Sequence, residues 1–321
     1  MSEELRIDYP YLEDFGATTQ QILNRVPSAD LSWSAFNPSI GHSPELGYAI
    51  LIRSSNYQIS EYGIPDKVLS AIKNDLWFSE LDSNFNIVDL RKITITGDLD
   101  LSQGVEDARL LWRDGSWHFS AVTLKQYGDI RQARLNLFKL DSLDNLATHI
   151  KQYAGARPDT LEKNWMATLI GENPNFDFIY GPTSIVKNGK FIITATDDPS
   201  IPNIRGGSSL VDLGDKTYLA VVHKTYTTEK CTPDPIDKNT VHVTYIRNYT
   251  HMFARYNWDG LLIETSDEFV FDGPGIEFAA GMVEKDGNLI ISYGREDSSC
   301  HLATIPKTTA LSLLNPMDDE F

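Results

Sequence analysis

Gly-Val-Glu-Asp-Ala-Arg-Leu-Leu-Trp-Arg-Asp-Gly-Ser-Trp-His, residues 104–118, holds the pattern that indicates the fold. Three charged residues, Glu106, Asp107 and Arg109, open an apolar strand, which an Asp-Gly pair at 114–115 separates from a second apolar strand. Two strands joined by Asp-Gly predict a β-hairpin. Because charges beside a buried strand are costly unless they are paired or used, this opening is either a strand-end ion pair or part of a site.

The same order of a polar or small opening, a strand, a turn and a returning strand recurs along the chain. Successive openings are 70, 57, 43 and 70 residues apart, which is enough for a four-stranded blade but too little for an independent sheet. We therefore predict an all-β fold, a five-bladed β-propeller over residues 36–310, with a two-sheet sandwich as the competing interpretation. The openings are marked by Asn37, Asp107, Asn164, Gly207 and Glu277.

The two ends of the chain lack this pattern. Residues 1–35 are expected to form an irregular lead-in packed on the propeller, with a short helical turn at 20–25. Residues 311–321 are expected to form an acidic C-terminal tail. Helical periodicity is scarce, and residues 141–155 fit either a brief helix or a long turn.

The composition is strongly acidic, and this limits the partners that can be expected. The chain has 321 residues, with 45 acidic against 28 basic residues and a formal net charge of −17. Such a surface repels phosphate backbones and anionic lipid, so we expect neither nucleic-acid nor membrane binding. A neutral ligand such as a sugar is compatible with it.

Redox and targeting signals suggest a reducing compartment. Cys231 and Cys300 are too few for a disulfide framework. The first ten residues lack the apolar core of a secretory signal. We expect a cytoplasmic protein, in a bacterial or viral setting.

The blade openings also predict a site. First strands of propeller blades surround the axis, so their openings converge at one end of the channel. Convergent carboxylates, amides and cations suit polyhydroxylated ligands, and a carboxylic acid can protonate a glycosidic oxygen. We expect an oligosaccharide or glycan partner, with oligomer formation left open, and neither a cofactor nor a metal, since the seven histidines lack ligand-type spacing. The residues gathered there are Asn37, Glu106, Asp107, Arg109, Lys163, Asn164, Arg205, Glu277 and Asp297.

An ordered set of short motifs resembles glycoside hydrolase family 130 and its propeller relatives, some of which occur beside glycosyltransferase domains. The resemblance runs from about residue 33 to 304. It rests on Phe-Asn-Pro at 36–38, Gly-Val-Glu-Asp-Ala-Arg at 104–109, Glu-Lys-Asn-Trp at 162–165, Arg-Gly-Gly-Ser at 205–208, Val-Val-His at 221–223, Gly-Ile-Glu-Phe-Ala-Ala-Gly at 275–281 and Ser-Tyr-Gly at 292–294.

This resemblance implies a five-bladed propeller that cleaves β-mannosides with inversion, by phosphorolysis or by hydrolysis. It implies that Asp107 is the proton donor and that His223 belongs to the phosphate or nucleophile side. Inorganic phosphate is then a candidate co-substrate. Its expected ligands are Arg205, His223 and either Lys163 or Lys224.

The motifs also depart from the family pattern. Ala108 stands where the family has proline, and the basic cluster is only partly recognisable. Water could then be the acceptor, with Glu277 or Glu296 as base, or the pocket could bind glycan without cleaving it. The structural alternatives are an Asp107–Arg109 ion pair, a buried hydrogen-bonded His223 and a turn capped by Arg205.

Overall fold

The computed structural model describes residues 9–27, 33–59, 72–127, 130–153, 163–167, 177–180, 184–187, 190–193, 204–233 and 241–316. A 3-10 turn, Leu12–Phe15, precedes β1 (Thr18–Leu23). The next strands are β2 (Ser34–Ser43), β3 (Gly47–Ser55), β4 (Asn74–Glu80) and β5 (Arg91–Lys92). They are followed by β6 (Thr94–Thr96), β7 (Val105–Arg113), β8 (Ser116–Tyr127), β9 (Ile130–Asp141) and β10 (Leu146–Tyr153).

The second half of the chain continues in the same manner. It holds β11 (Trp165–Ala167), β12 (Phe178–Tyr180), β13 (Ser184–Lys187) and β14 (Lys190–Ile193). Then come β15 (Val211–Asp212), β16 (Thr217–Pro233), β17 (Val241–Asn257) and β18 (Leu262–Ser266). The last elements are β19 (Glu277–Lys285), β20 (Asn288–Arg295), β21 (Ser299–Pro306), the helix α1 (Lys307–Ser312) and β22 (Leu314–Pro316).

Within the described residues the strands form five sheets, which are the blades of a β-propeller. Blades 1 to 4 have the strand orders β2-β3-β4-β5, β7-β8-β9-β10-β6, β11-β12-β13-β14 and β15-β16-β17-β18-β22. Blade 5 has the order β19-β20-β21-β1. The predicted five-bladed propeller is therefore confirmed, and the sandwich is excluded.

The apolar core is divided among the seams of the ring. Each of five large clusters of buried side chains joins two neighbouring blades. Blades 1 and 2, for example, meet through Phe78 and Phe119, and blades 1 and 5 meet through Ile50 and Leu302. A single blade has no core of its own, because both of its faces are covered by the next blades around the ring.

Serine hydroxyls and a close backbone approach tie the inner strands together. Ser39 of β2 donates to the carbonyl of Ala280 at 3.1 Å and accepts from the backbone N–H of Leu110 at 2.8 Å, so it joins three blades. At Gly281 of β19 an added Cβ would lie 2.4 Å from the nitrogen of Ile40. Only glycine permits this approach of β19 to β2.

Both chain ends differ from the prediction. The expected irregular lead-in, residues 1–35, contains β1, and the helical turn expected at 20–25 is wrong: residues 18–23 pair antiparallel with β21 and complete blade 5. In the expected tail, residues 311–312 end α1 and residues 314–316 pair with β18; residues 317–321 lie outside the described part. Residues 141–153 are a turn followed by β10 rather than a helix, and residues 154–155 lie outside the described part. β1 and β22 pair with strands that are distant in sequence, which local periodicity does not reveal.

Candidate active site

A cavity of about 420 Å³ lies where the inner strands of the blades begin, and all five blades line it. Blade 1 contributes Asn37, Arg53 and Tyr57, blade 2 Glu106 and Asp107, and the entry to blade 3 Lys163 and Asn164. Blade 4 contributes Arg205, His223, Arg247 and Tyr249, and blade 5 Phe278 and Asp297; three isoleucines, Ile59, Ile72 and Ile276, complete the wall.

A β-bulge aims the Asp107 side chain. The β7–β8 register shifts between Glu106 and Arg109, and Asp107 has a φ of 51°. Asn37 has a φ of 47° at the matching shift in β2, and Asn164 has a φ of 66° just before β11. Aspartate and asparagine are the non-glycine residues that adopt this left-handed conformation most readily, and bulges re-aim side chains near active sites.

Asp107 is held through one of its two carboxylate oxygens. Oδ1 accepts from Asn37 Nδ2 at 3.1 Å and from Arg53 Nη1 at 3.0 Å. Oδ2 has no hydrogen-bond partner among the described residues, and Asp107 lines the cavity although it is only 8% exposed. One oxygen is thus fixed in the wall, and the other is available to a ligand.

Arg53 organises the acidic wall. Its Nη2 bonds Glu106 Oε1 at 2.9 Å, and its Nε bonds Asn74 Oδ1 at 2.9 Å, in addition to the bond with Asp107. Lys163 Nζ pairs with the other oxygen of Glu106. A guanidinium holds two carboxylates in fixed geometry through its planar fork of donors.

The charges of this network decide the ionisation of Asp107. Burial alone would raise the pKa of both carboxyls, but the charges of Arg53 and Lys163 outweigh burial and hold the pKa of Glu106 and Asp107 below its ordinary value. Both groups are therefore carboxylates at neutral pH.

Asp297, on the turn between β20 and β21, differs. Burial raises its pKa, against the opposing effects of Arg53 and of the Tyr57 hydroxyl, which donates to Oδ2 at 2.7 Å. Two carboxyls of unlike proton affinity therefore line one cavity, an arrangement typical of acid–base sites.

The opposite wall is cationic. Arg205 and Arg247 line it and have no acidic partner among the described residues. Arg205 pairs through its backbone with His223, whose ring stacks on Tyr249 with the centroids 5.3 Å apart. Burial lowers the pKa of His223 well below its ordinary value, so its imidazole is neutral. Guanidinium groups that have no carboxylate beside them within the described residues suit an anion in a concave site.

Three of the predicted site residues do not line the cavity. Arg109 is fully buried beneath it, with Nε bonded to the carbonyl of Gly207 at 2.8 Å and Nη1 to that of Asp107 at 3.0 Å. It contributes from below, by fixing the Asp107 backbone and by adding positive charge. The expectation that Arg109 contacts the ligand is therefore wrong as to direct contact.

Glu277 and Lys224 are the other two. The Glu277 carboxyl accepts the backbone N–H groups of Phe271, Asp272 and Gly273 at 2.8, 2.7 and 3.2 Å and is fully buried, which argues against a role as base. Lys224 pairs with Glu268 instead of contributing to the cationic wall. The Glu277 carboxyl and the Lys224 ammonium are both held by groups that the sequence pattern does not reveal.

Sequence reasoning missed four polar residues of the cavity, Arg53, Tyr57, Arg247 and Tyr249. Arg53 offered a signal, since a charge that ends the apolar run Tyr48–Ile52 is as costly as the charges at 106–109. Arg247 and Tyr249 lie in an ordinary alternating strand, so their position depends on how far that strand extends.

The described residues contain no group of three or more side chains suited to holding a metal ion. Among them, no helix is long and apolar enough to cross a bilayer.

No protein-family model and no curated protein sequence matches the chain. Solved structures do match it in fold. A β-1,2-mannobiose phosphorylase from Listeria innocua superposes with a TM-score of 0.62 at 11% identity, over 95% of this chain and 98% of that one. MPT-1, a GDP-Man-dependent mannosyltransferase from Leishmania mexicana, superposes with a TM-score of 0.53 at 10% identity, over 94% of this chain and 91% of that one.

A third matching structure represents the GH130 family of mannoside phosphorylases, which contains glycoside hydrolases that target β-1,2 mannosidic linkages in Candida mannan. It gives a TM-score of 0.53 at 13% identity, over 85% of this chain and 84% of that one. The chain has the five-bladed fold of the GH130 mannoside phosphorylases. At these identities the likeness establishes the fold, and the chemistry has to be argued from the cavity.

Proposed function

We propose that the chain is a carbohydrate-active enzyme that cleaves a β-mannoside-like glycosidic bond with inversion, with Asp107 as general acid. The position of Asp107 carries the proposal: one carboxylate oxygen is anchored, and the other is available in a cavity lined by every blade. The fold shared with mannoside phosphorylases supports the substrate class.

In this proposal the acidic wall holds the sugar. Asn37, Asn164 and Asp297 offer amide and carboxyl groups to its hydroxyls, and the ring of Phe278 offers an apolar face. Lys163 fixes Glu106, and Glu106 and Asn37 fix the surroundings of Asp107. The oxygen of the scissile glycosidic bond then lies next to Asp107 Oδ2, within reach of the proton that Oδ2 carries as general acid.

The cationic wall favours phosphorolysis over hydrolysis. Arg205 and Arg247 would pair with a phosphate anion, and neutral His223 would share a hydrogen bond with it. Hydrolysis needs a carboxylate as base. Glu277 and Glu296, the two candidates from the sequence, both accept backbone N–H groups, Glu296 from Ile276 at 2.9 Å. Asp297 lines the cavity as well, but burial raises its pKa toward the neutral acid, and Tyr57 donates to its Oδ2.

Phosphate binding would also explain how Asp107 acquires the proton that a general acid has to donate. In the free protein the cations around Asp107 hold its pKa low. A phosphate anion in the cavity offsets part of that positive charge and raises the pKa of Asp107, since a neighbouring anion disfavours a second negative charge. Binding of the co-substrate thus favours the protonated acid.

A leaving-group experiment tests the acid. Asp107→Asn should lose at least about a thousandfold in kcat on unactivated β-mannobiose, and it should retain much of the wild-type rate on a dinitrophenyl β-mannoside, whose leaving group needs no proton. Released sugar is measured with and without phosphate; phosphorolysis with inversion gives α-mannose 1-phosphate.

Asp297→Asn is the matched control, because Asp297 lines the same cavity and its pKa is raised. This variant should lower the rate on both substrates to a similar degree. If Asp297→Asn instead shows the leaving-group dependence and Asp107→Asn does not, Asp297 is the acid. Full turnover of mannobiose by Asp107→Asn contradicts the assignment of Asp107.

A non-catalytic glycan-binding propeller is the alternative, and the ion pair between Asp107 and Arg53 favours it. A carboxylate that serves only to bind hydroxyls gains from a low pKa. Saturable binding of manno-oligosaccharides by calorimetry, without product release from either substrate, would identify this function.

A further inference from the structure

A second cavity, of about 460 Å³, lies at the seam between the first and last blades. Its volume is within the range of roughly 300–1,000 Å³ that is usual for small-molecule sites. It is lined mainly by polar side chains from β1, from the segment after β3 and from the turn between β20 and β21, including Gln21, Asn24, Arg25, Gln58, Glu296 and Ser299.

The two cavities share a wall. Ile59 lines both of them. Neighbours in sequence divide between them at two further places: Tyr57 and Asp297 line the first cavity, and Gln58 and Glu296 line the second. The two cavities therefore lie next to each other, on either side of this wall.

Hydrogen bonds hold this wall in place. Glu296 and Asp297 have φ values of 49° and 44°. Glu296 Oε1 accepts the N–H of Ile276 at 2.9 Å, and an added Cβ at Gly275 would lie 2.1 Å from the same oxygen. Tyr57 holds Asp297 at 2.7 Å. The boundary between the cavities is consequently a built structure rather than a loose turn.

The second cavity offers hydrogen-bonding groups to a neutral ligand. The side chains of Gln21, Asn24 and Arg25 form no hydrogen bond with the described residues and line the cavity. Amides both donate and accept, which matches sugar hydroxyls. One cation, Arg25, and one anion, Glu296, leave the lining without a strong net charge.

We propose that the second cavity is a carbohydrate subsite that binds the sugar units of an oligosaccharide beyond those held in the first cavity. This rests on the proposed function of the first cavity. The preferred substrate is then a chain of three or more sugars rather than a disaccharide, and the closing strand β1 contributes to its selection.

Strand β1 supplies a matched control. Side chains alternate between the two faces of a strand, so Gln20 and Gln21 lie on opposite faces. Gln21 lines the cavity and Gln20 does not, although both are exposed glutamines on the same strand. A general effect of altering this edge strand would appear after substitution of either glutamine. Loss of a subsite would appear only after substitution of Gln21.

The test compares β-linked manno-oligosaccharides of two, three and four units in the wild type, in the double variant Gln21→Ala/Asn24→Ala and in Gln20→Ala. We expect the double variant to raise KM for the longer substrates about tenfold, the loss of two hydrogen bonds. Its kcat and its KM for the disaccharide should stay unchanged, and Gln20→Ala should match the wild type throughout.

Other results overturn the proposal: equal KM values for all lengths in the wild type, or a double variant that handles the trisaccharide as the wild type does. If the wild type turns over no substrate, the proposed reaction fails, and calorimetric titration with the trisaccharide decides the subsite separately. The subsite is supported if the double variant binds the trisaccharide about tenfold more weakly than the wild type and Gln20→Ala do. Equal affinities of all three proteins, or absence of binding, overturn it.

Discussion

At the residue scale, the blade openings combine two demands on one side chain. Asn37, Asp107 and Asn164 all have left-handed backbones where an inner strand begins. A residue there has to tolerate positive φ and has to present a polar group to the cavity, and asparagine and aspartate meet both demands. The pattern by which the sequence indicates its blades is therefore also the pattern that builds the site.

Glu277 leads to a prediction about stability and pH. Burial raises its pKa to about 7, against the pull of the backbone N–H donors of Asp272 and Phe271. The ordinary pKa of glutamate, which applies to the unfolded chain, is about 4.3. Between these two values the folded protein keeps a proton that the unfolded chain has lost, so the free energy of unfolding falls as the pH rises, by about 4 kcal/mol in all, and levels off above pH ~7.

Urea unfolding of the wild type and of Glu277→Gln from pH 4.5 to 8 measures this effect. The glutamine variant lacks the titrating group but retains every other one. As the pH rises to 7, the free energy of unfolding of the wild type should fall relative to that of Glu277→Gln. Parallel curves over that range would show that the N–H donors keep Glu277 ionised in the folded protein.

At the scale of elements, blade 4 carries a long arm. Strands β16 and β17 each have 17 residues and pair from Thr217–Asn257 out to Pro233–Val241. Arg247 and Tyr249 are two residues apart on β17, hence on one face, and both line the cavity. Through this face β17 supplies a cation and an aromatic ring to the cavity.

The arm predicts which cation matters for phosphate. Arg247→Ala should weaken phosphate binding by about tenfold or more, because a charge-assisted hydrogen bond is worth ~1.5–3 kcal/mol. Lys224→Ala removes a positive charge from the same hairpin, but that lysine pairs with Glu268 and does not line the cavity. Calorimetric titration with inorganic phosphate compares the two. The interpretation fails if Lys224→Ala weakens binding as much as Arg247→Ala.

The elements also show how far sequence reasoning reaches. Hairpins such as β7–β8 were predictable because an Asp-Gly turn joins neighbouring strands. The pairing of β1 with β21, and of β22 with β18, joins segments far apart in the chain, and no local pattern encodes it. Arg53 was missed for the same reason, since its partners are 53 and 54 residues away.

At the scale of the whole molecule, the ring is closed by its first strand. Blade 5 takes three strands from the end of the chain and its outer strand, β1, from the beginning. The segment leading into β1 is buried as well: Leu12 is fully buried in the seam between blades 4 and 5 and Ala17 is 7% exposed. Closure therefore couples the two ends of the chain.

Removal of residues 1–23 should consequently destabilise the entire ring. The deletion removes β1 from its ladder and exposes the edge of β21. Burial of one leucine alone is worth about 1.5–3 kcal/mol, so with the lost strand pairing we expect a loss of at least about 3 kcal/mol in unfolding free energy. Urea unfolding measures it, and a deletion of residues 1–8 is unfolded beside it, so that the difference between the two deletions gives the contribution of residues 9–23. Because the cavity is assembled from all five blades, binding of manno-oligosaccharide should fall together with stability in the longer deletion. A longer deletion that unfolds like the intact chain would mean that the four interfaces between consecutive blades hold the ring without its closing strand.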